Sequence, residues 1–153
     1  MAAYFFDSSA LVKRYATEVG TAWVTALLDP GARNRIYITR ITGVEVVSAL
    51  TRKQRGNFIS AADATAAIAR FRRDFANRFR VVEVTAALIA TAMSLAETYV
   101  LRGYDAVQLA AARQAQQRRL ARGIPPLSLI TADGDLLTAG AAEGITTDDP
   151  NNH

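Results

Sequence analysis

The chain has 153 residues, half of them apolar, with a formal net charge of +4 and no cysteine. That length and apolar share suit one domain with its own core, and the lack of thiols excludes disulfides, thiolate zinc sites and cysteine nucleophiles. The only histidine is the last residue, His153, no apolar run approaches the roughly 20 residues that span a bilayer, and the N-terminus lacks a signal-peptide pattern, so a histidine-based active site is not expected and a cytoplasmic location is.

Tyr4-Phe5-Phe6 is an aromatic run with no polar face, which suits a strand buried on both sides in a parallel sheet. It stops on Asp7. Ser8 to Ala16 then reads as a short helix, and Trp23, Val24, Leu27 and Leu28 recur at helical spacing between Gly20 and Asp29-Pro30-Gly31. Arg35 to Thr39 is a second strand by its β-branched and aromatic content. Thr42 to Arg55 and Ala61 to Asn77 are helices separated by Gly56-Asn57, with Ser60 as a cap, and they predict an antiparallel helical hairpin that projects from the domain. Arg80 to Val84 is a third strand, followed by a helix from Thr85 that Arg102-Gly103 interrupts. A long alanine-rich helix runs from Tyr104 to about Arg122, until Gly123-Ile124-Pro125-Pro126 breaks it. Leu127 to Thr131 is the fourth strand, Leu136 to Ala142 the last helix and Ile145 to Thr147 the fifth strand.

Strands alternating with helices predict an α/β fold: a five-stranded, mainly parallel sheet with helices on both faces, in a single domain over residues 1–147. Residues 148–153 read as a flexible polar tail. Charge is uneven along this plan. Residues 40 to 80 hold nine Arg or Lys against three acids, a local excess of six, so the rest of the chain carries −2. Such a basic lobe suits a polyanion partner, or equally a solvated arginine-rich helical surface.

The acids fall at particular places. Asp7 follows strand one, Glu45 lies in the first turn of the helix after strand two, Asp133 follows strand four, and Asp105 opens the long helix. In a parallel sheet these positions face one edge, so residues almost the whole chain apart can share a cleft. Each also has an ordinary structural reading: Asp7 and Asp133 as N-caps, Asp105 as a complement to a helix dipole, Thr42 with Glu45 as a capping box. Four carboxylates in one pocket would repel, and their oxygens suit a hard divalent cation, Mg2+ or Mn2+. Such a site can activate water and hold phosphate oxygens.

The segments Phe6-Asp7-Ser8-Ser9-Ala10-Leu11-Val12-Lys13, Thr42-Gly43-Val44-Glu45-Val46, Leu101 to Ala110 with Tyr104-Asp105-Ala106 at its centre, and Ile130-Thr131-Ala132-Asp133 resemble, in order, the motifs of PIN-domain nucleases. The likeness is closest to VapC-type toxins of bacterial toxin-antitoxin pairs. It implies a PIN-like three-layer α/β/α sandwich and a Mg2+- or Mn2+-dependent endoribonuclease whose acids correspond to Asp7, Glu45, Asp105 and Asp133. It also implies support from Ser9 and Thr131, with Asp135 as an alternative or supplementary fourth ligand. A homodimer and a small antitoxin that covers the cleft are implied too. Lys13, Arg14 and Arg52 are weaker candidates for contacts to RNA phosphates, against a reading as solvated surface charge.

Other readings stay open at this stage. The same fold could serve as a slow or silent RNA-binding or regulatory module. Asp7 could act as a phosphoryl-accepting nucleophile, although Ser8-Ser9 follows it where a second aspartate would be expected. Dinucleotide binding lacks its Gly-x-Gly-x-x-Gly signature.

Overall fold

The computed structural model describes all 153 residues. Five strands form one sheet: β1 (Ala3–Phe6), β2 (Arg35–Thr39), β3 (Arg80–Val82), β4 (Ser128–Ile130) and β5 (Thr146–Asp148), in the spatial order β3-β2-β1-β4-β5. All four pairings are parallel. The helices are α1 (Ser8–Leu11), α2 (Thr21–Leu27), α3 (Thr42–Arg55), α4 (Ala61–Asn77), α5 (Ala86–Tyr99), α6 (Gly103–Ala121) and α7 (Gly134–Ala142). No helix is long and apolar enough to cross a membrane.

Successive strand residues point to opposite faces, and this alternation divides the core. Phe5 and Leu129 pack with Leu88 and Leu95 of α5, Leu109 and the alanines of α6, and Leu136 of α7. Phe6, Ile36, Ile38 and Ile130 pack on the other face with Leu11, Val24, Val46, Leu50 and Phe71 from α1 to α4. The result is the expected three-layer sandwich. Burying an aromatic or large aliphatic side chain contributes about 1.5–3 kcal/mol, so the fully buried Phe5 and Phe6 make β1 the best anchored strand as well as the central one.

The α3–α4 hairpin forms as predicted, turning at Gly56 and at Asn57, whose φ of 60° lies in the left-handed region. Val46, Leu50 and Phe71 fix it to the sheet, while Phe58 at its turn is exposed. Several boundaries differ from expectation. The first helix tightens after Leu11 into a 3-10 turn over Val12–Arg14, with the amides of Tyr15 and Ala16 both bonding the Val12 carbonyl; such tightening is common where terminal carbonyls lack partners. The third strand stops at Val82, which pairs with Thr39, the last residue of β2, so Glu83 and Val84 have no neighbouring strand to continue the ladder. The break between α5 and α6 falls at Val100, which adopts left-handed geometry with φ 53°, while Gly103 already belongs to α6.

The C-terminal segment also departs from the free tail expected of it. Asp148 ends β5, and Pro150–Asn152 form a 3-10 turn whose Pro150 is buried. The His153 ring stacks on Trp23 with centroids 3.9 Å apart and planes 1° from parallel, and its Nε2 lies 2.9 Å from Asp148 Oδ1. Apolar and aromatic contact outweighs the polar composition that suggested a mobile end. Gly20 permits the fit: its φ is +86°, and a Cβ there would stand 2.2 Å from the Pro150 carbonyl oxygen.

Candidate active site

The carboxyl ends of β1 and β4 lie side by side, with Phe6 paired to Ile130 and the Asp7 amide bonded to the Ile130 carbonyl. Asp7 and Thr131 therefore leave the sheet together. Asp7 is buried, and every neighbour donates to it. Its Oδ1 accepts from Ser9 Oγ (2.7 Å) and the Ala10 amide (3.0 Å); its Oδ2 accepts from Thr131 Oγ1 (2.7 Å) and again from Ser9 Oγ (2.9 Å). The hydroxyls are oriented for this task, because Ser9 Oγ accepts from the Ala132 amide and Thr131 Oγ1 from the Asp133 amide, which leaves their protons for the carboxylate. Burial pushes Asp7 up to about 6, against the lowering effect of Thr131, Ser9 and Ala10 and with a further upward push from the charge of Asp105. Desolvation wins over three hydrogen bonds.

Glu45, in the first turn of α3, is held at both oxygens. Ser8 Oγ donates to Oε2 (3.1 Å) and Gln108 Nε2 to Oε1 (2.8 Å). Asp105, in the first turn of α6, accepts no protein hydrogen bond and is raised chiefly by burial, next by the charge of Asp133, and less by Glu45 and Asp135, with Arg102 opposing. Asp133 Oδ1 caps α7 through the Leu136 amide (2.9 Å). Asp135 is exposed and has no hydrogen-bond partner. The cap readings of Asp7 and Asp133 are thus correct and leave the cleft reading standing: one carboxylate oxygen serves the helix while the group faces the shared edge. The Thr42–Glu45 capping box does not form. Ile41 stands at the cap position without a side-chain bond, and Thr42 turns inward to Thr39 and Gln108.

None of Asp7, Glu45, Asp105, Asp133 or Asp135 is in a salt bridge. The edge gathers mutually repelling carboxylates that only the charge of Arg102 opposes, with no salt bridge, and its acids offer oxygen donors. That donor set fits a hard divalent cation such as Mg2+ or Mn2+. As the side chains stand, no three of the acids converge closely enough to enclose an ion.

Three weaker candidates lie elsewhere. Lys13 is buried and bonds Glu18 (3.1 Å), which also takes Lys53 (2.7 Å), so Lys13 is committed internally and does not present a surface charge. Arg14 is half-buried, its Nε lacks a partner, and its guanidinium is lowered by burial and by the neighbouring charge of Arg70. Arg52 is exposed, bonded only to Ser48 Oγ (3.1 Å), and stays available to an anion. Of the basic hairpin, Arg40 pairs with Glu83 and Arg78 with Asp74. Arg55, Arg70, Arg72 and Arg73 remain exposed and unpaired.

Residues that sequence reasoning missed are Ser8, Thr39, Thr42 and Gln108, all tied to Glu45 directly or through one bond. One signal was available for Gln108. It stands three residues after Asp105, on the same helix face. A groove of about 620 Å3 opens between α3 and α4, lined by Arg40, Val44, Val47, Arg72 and Phe75 among others.

Residues 4–141 match the family model of the PIN domain. The chain belongs to the PIN domain family. It is 35% identical over 140 residues to Ribonuclease VapC45 and to Ribonuclease VapC49, both of Mycobacterium tuberculosis, across 92% of this chain and 90% of each relative. Among solved structures the PIN domain here resembles a toxin-antitoxin complex from Klebsiella pneumoniae (TM-score 0.62, 20% identity, 96% of this chain and 97% of that one). It also resembles VapC20 of Mycobacterium tuberculosis, described as a sarcin-ricin loop cleaving toxin (TM-score 0.61, 20% identity, 90% and 95%). At those identities the two structures speak for the fold.

Proposed function

We propose that this PIN domain is a divalent-cation-dependent endoribonuclease and the toxin of a toxin-antitoxin pair. The observation that carries the proposal is the unpaired set Asp7, Glu45, Asp105 and Asp133 at one sheet edge, in a chain 35% identical to two proteins named ribonucleases. A bound Mg2+ or Mn2+ supplies water activation and offsets the charge that develops on phosphate oxygens. The chain's own part is to present oxygens. Ser9, Thr131 and the Ala10 amide hold Asp7 in the ionised orientation, Ser8 and Gln108 hold Glu45, and Asp133 is fixed by its cap. Exposed arginines of the hairpin would bind RNA phosphates without reading sequence.

In this reading the attacking group is water, not the ribose 2′-hydroxyl. Labelled RNA incubated with the protein and Mg2+ or Mn2+ should give fragments free of a 2′,3′-cyclic phosphate, and none with a chelator. Cleavage that persists in the chelator, or cyclic ends, would refute the reading.

The antitoxin would be a small protein whose segment masks the cleft, and the groove between α3 and α4 offers it apolar contacts flanked by Arg40 and Arg72. Exposed Ile89 and Met93 stand one turn apart on α5, followed by exposed Val100 at its cap and Tyr104 in the first turn of α6, and they favour a homodimer through this face. Met93→Glu should then shift the protein to a monomer by light scattering. A second reading has support in the separation of the acids as they stand: a silent RNA-binding module, which would hold RNA intact in Mn2+.

A further inference from the structure

Gln108 is buried in α6, and its carboxamide meets three residues from the end of β2 and the first turn of α3. Nε2 donates to Glu45 Oε1 at 2.8 Å and to Thr42 Oγ1 at 2.9 Å, while Oε1 accepts from Thr39 Oγ1 at 3.5 Å. The orientation of this amide is forced. An ionised Glu45 can only accept, so the nitrogen has to face it, and that assigns the oxygen to Thr39. Thr39 and Thr42 are fully buried and bond each other at 2.9 Å, so the amide is anchored before it reaches Glu45. Glu45 itself lies in the first turn of α3 and is only half-buried, with a flexible side chain whose other oxygen has one contact, Ser8 Oγ at 3.1 Å. Of the two bonds to Glu45, the one from Gln108 is shorter and comes from the more buried group.

We infer that Gln108 is a positioning residue: it holds the Glu45 carboxylate at the acid edge and so sets the affinity of that edge for a divalent cation. The inference rests on the reading of the edge as a cation site. α6 carries both Asp105 and Gln108, so a single helix delivers one acid and fixes the direction of another. Removing the amide would leave Glu45 tethered by Ser8 alone and free to rotate, and outer partners of this kind typically change metal affinity by about 10–100-fold.

The test is calorimetric titration with Mn2+ of four folded proteins: parent, Gln108→Met, Glu45→Gln and the double variant, with melting temperatures measured separately. Gln108→Met keeps length and removes the donor. It should weaken Mn2+ by about tenfold or more. In the Glu45→Gln background the same change should cost little further affinity, since an effect exerted through Glu45 is not additive with its loss. Thr42→Val, which removes the other acceptor of Nε2 and leaves its bond to Glu45, measures the purely structural effect and should lower the melting temperature more than the affinity. If Gln108→Met is too unstable to titrate, Gln108→Asn retracts the amide by one methylene and should weaken Mn2+ in the same way. Affinity within twofold of the parent for Gln108→Met, or for Gln108→Asn where it serves instead, overturns the inference, as does an equal loss with and without Glu45. A parent protein that binds no Mn2+ would instead overturn the cation site itself.

Discussion

The hydroxyl of Thr131 donates to Asp7 Oδ2 across 2.7 Å, joining two residues 124 positions apart. With Ser9 it supplies the side-chain support of a carboxylate that burial would otherwise hold neutral. Thr131→Val or Ser9→Ala should each raise Asp7 further and weaken Mn2+ binding by about tenfold. Calorimetry near neutral pH checks this; unchanged affinity in both variants would show that the hydroxyls serve only the backbone turns.

Asp7 predicts a particular dependence of stability on pH. It titrates near 3.8 when unfolded and is pushed up to about 6 when folded. Between those values the folded state keeps a proton that the unfolded state has released, so stability falls as pH rises from about 4 to about 6, by about 3 kcal/mol. Asp7→Asn removes that loss. In a chelator it should melt higher than the parent near pH 7 and no higher near pH 4, with the gain reduced because an amide nitrogen cannot accept from Thr131. Added Mn2+ should raise the melting temperature of the parent near pH 7 and leave Asp7→Asn unmoved.

Glu18 makes a separate prediction about stability. Burial pushes its carboxyl up, but hydrogen bonds from Lys53 and Lys13 outweigh that and hold it below the ordinary range. Glu18→Ala would leave the buried Lys13 ammonium without a partner, and because the pair is only partly buried this should cost about 1–3 kcal/mol. Urea unfolding should show a loss of that order. Mn2+ affinity should stay at the parent's value.

Exposed hairpin arginines should act as phosphate contacts. Arg52→Ala and Arg72→Ala are each expected to weaken RNA binding about equally across sequences and to lower the slope of log K against log salt by up to about one. A sequence-dependent loss would point to base reading instead.

Much of this was legible in the chain. The aromatic strand ending on Asp7, the order of strands and helices, and the delivery of four acids to one edge follow from periodicity and from the geometry of parallel sheets. Less accessible was the fate of individual polar side chains. Lys13 looks like surface charge beside Arg14, yet a 3-10 turn directs it inward to Glu18. Thr42 spells a capping box with Glu45, yet the buried Gln108 amide competes for both and wins. The end of the chain looks mobile by composition, yet His153 finds the Trp23 ring. For Thr42 and His153 the deciding partner lies far along the sequence, where local pattern carries no information.

The most direct measurement is single-turnover cleavage of a structured RNA panel by the parent and by Asp7→Asn, each in Mn2+ and in a chelator. The parent should cut in Mn2+ alone, and Asp7→Asn should be slower by at least about a hundredfold, the scale of losing one preorganised charge-stabilising group. An Asp7→Asn protein that cuts as fast as the parent in Mn2+ would contradict the assignment of this edge as the active site.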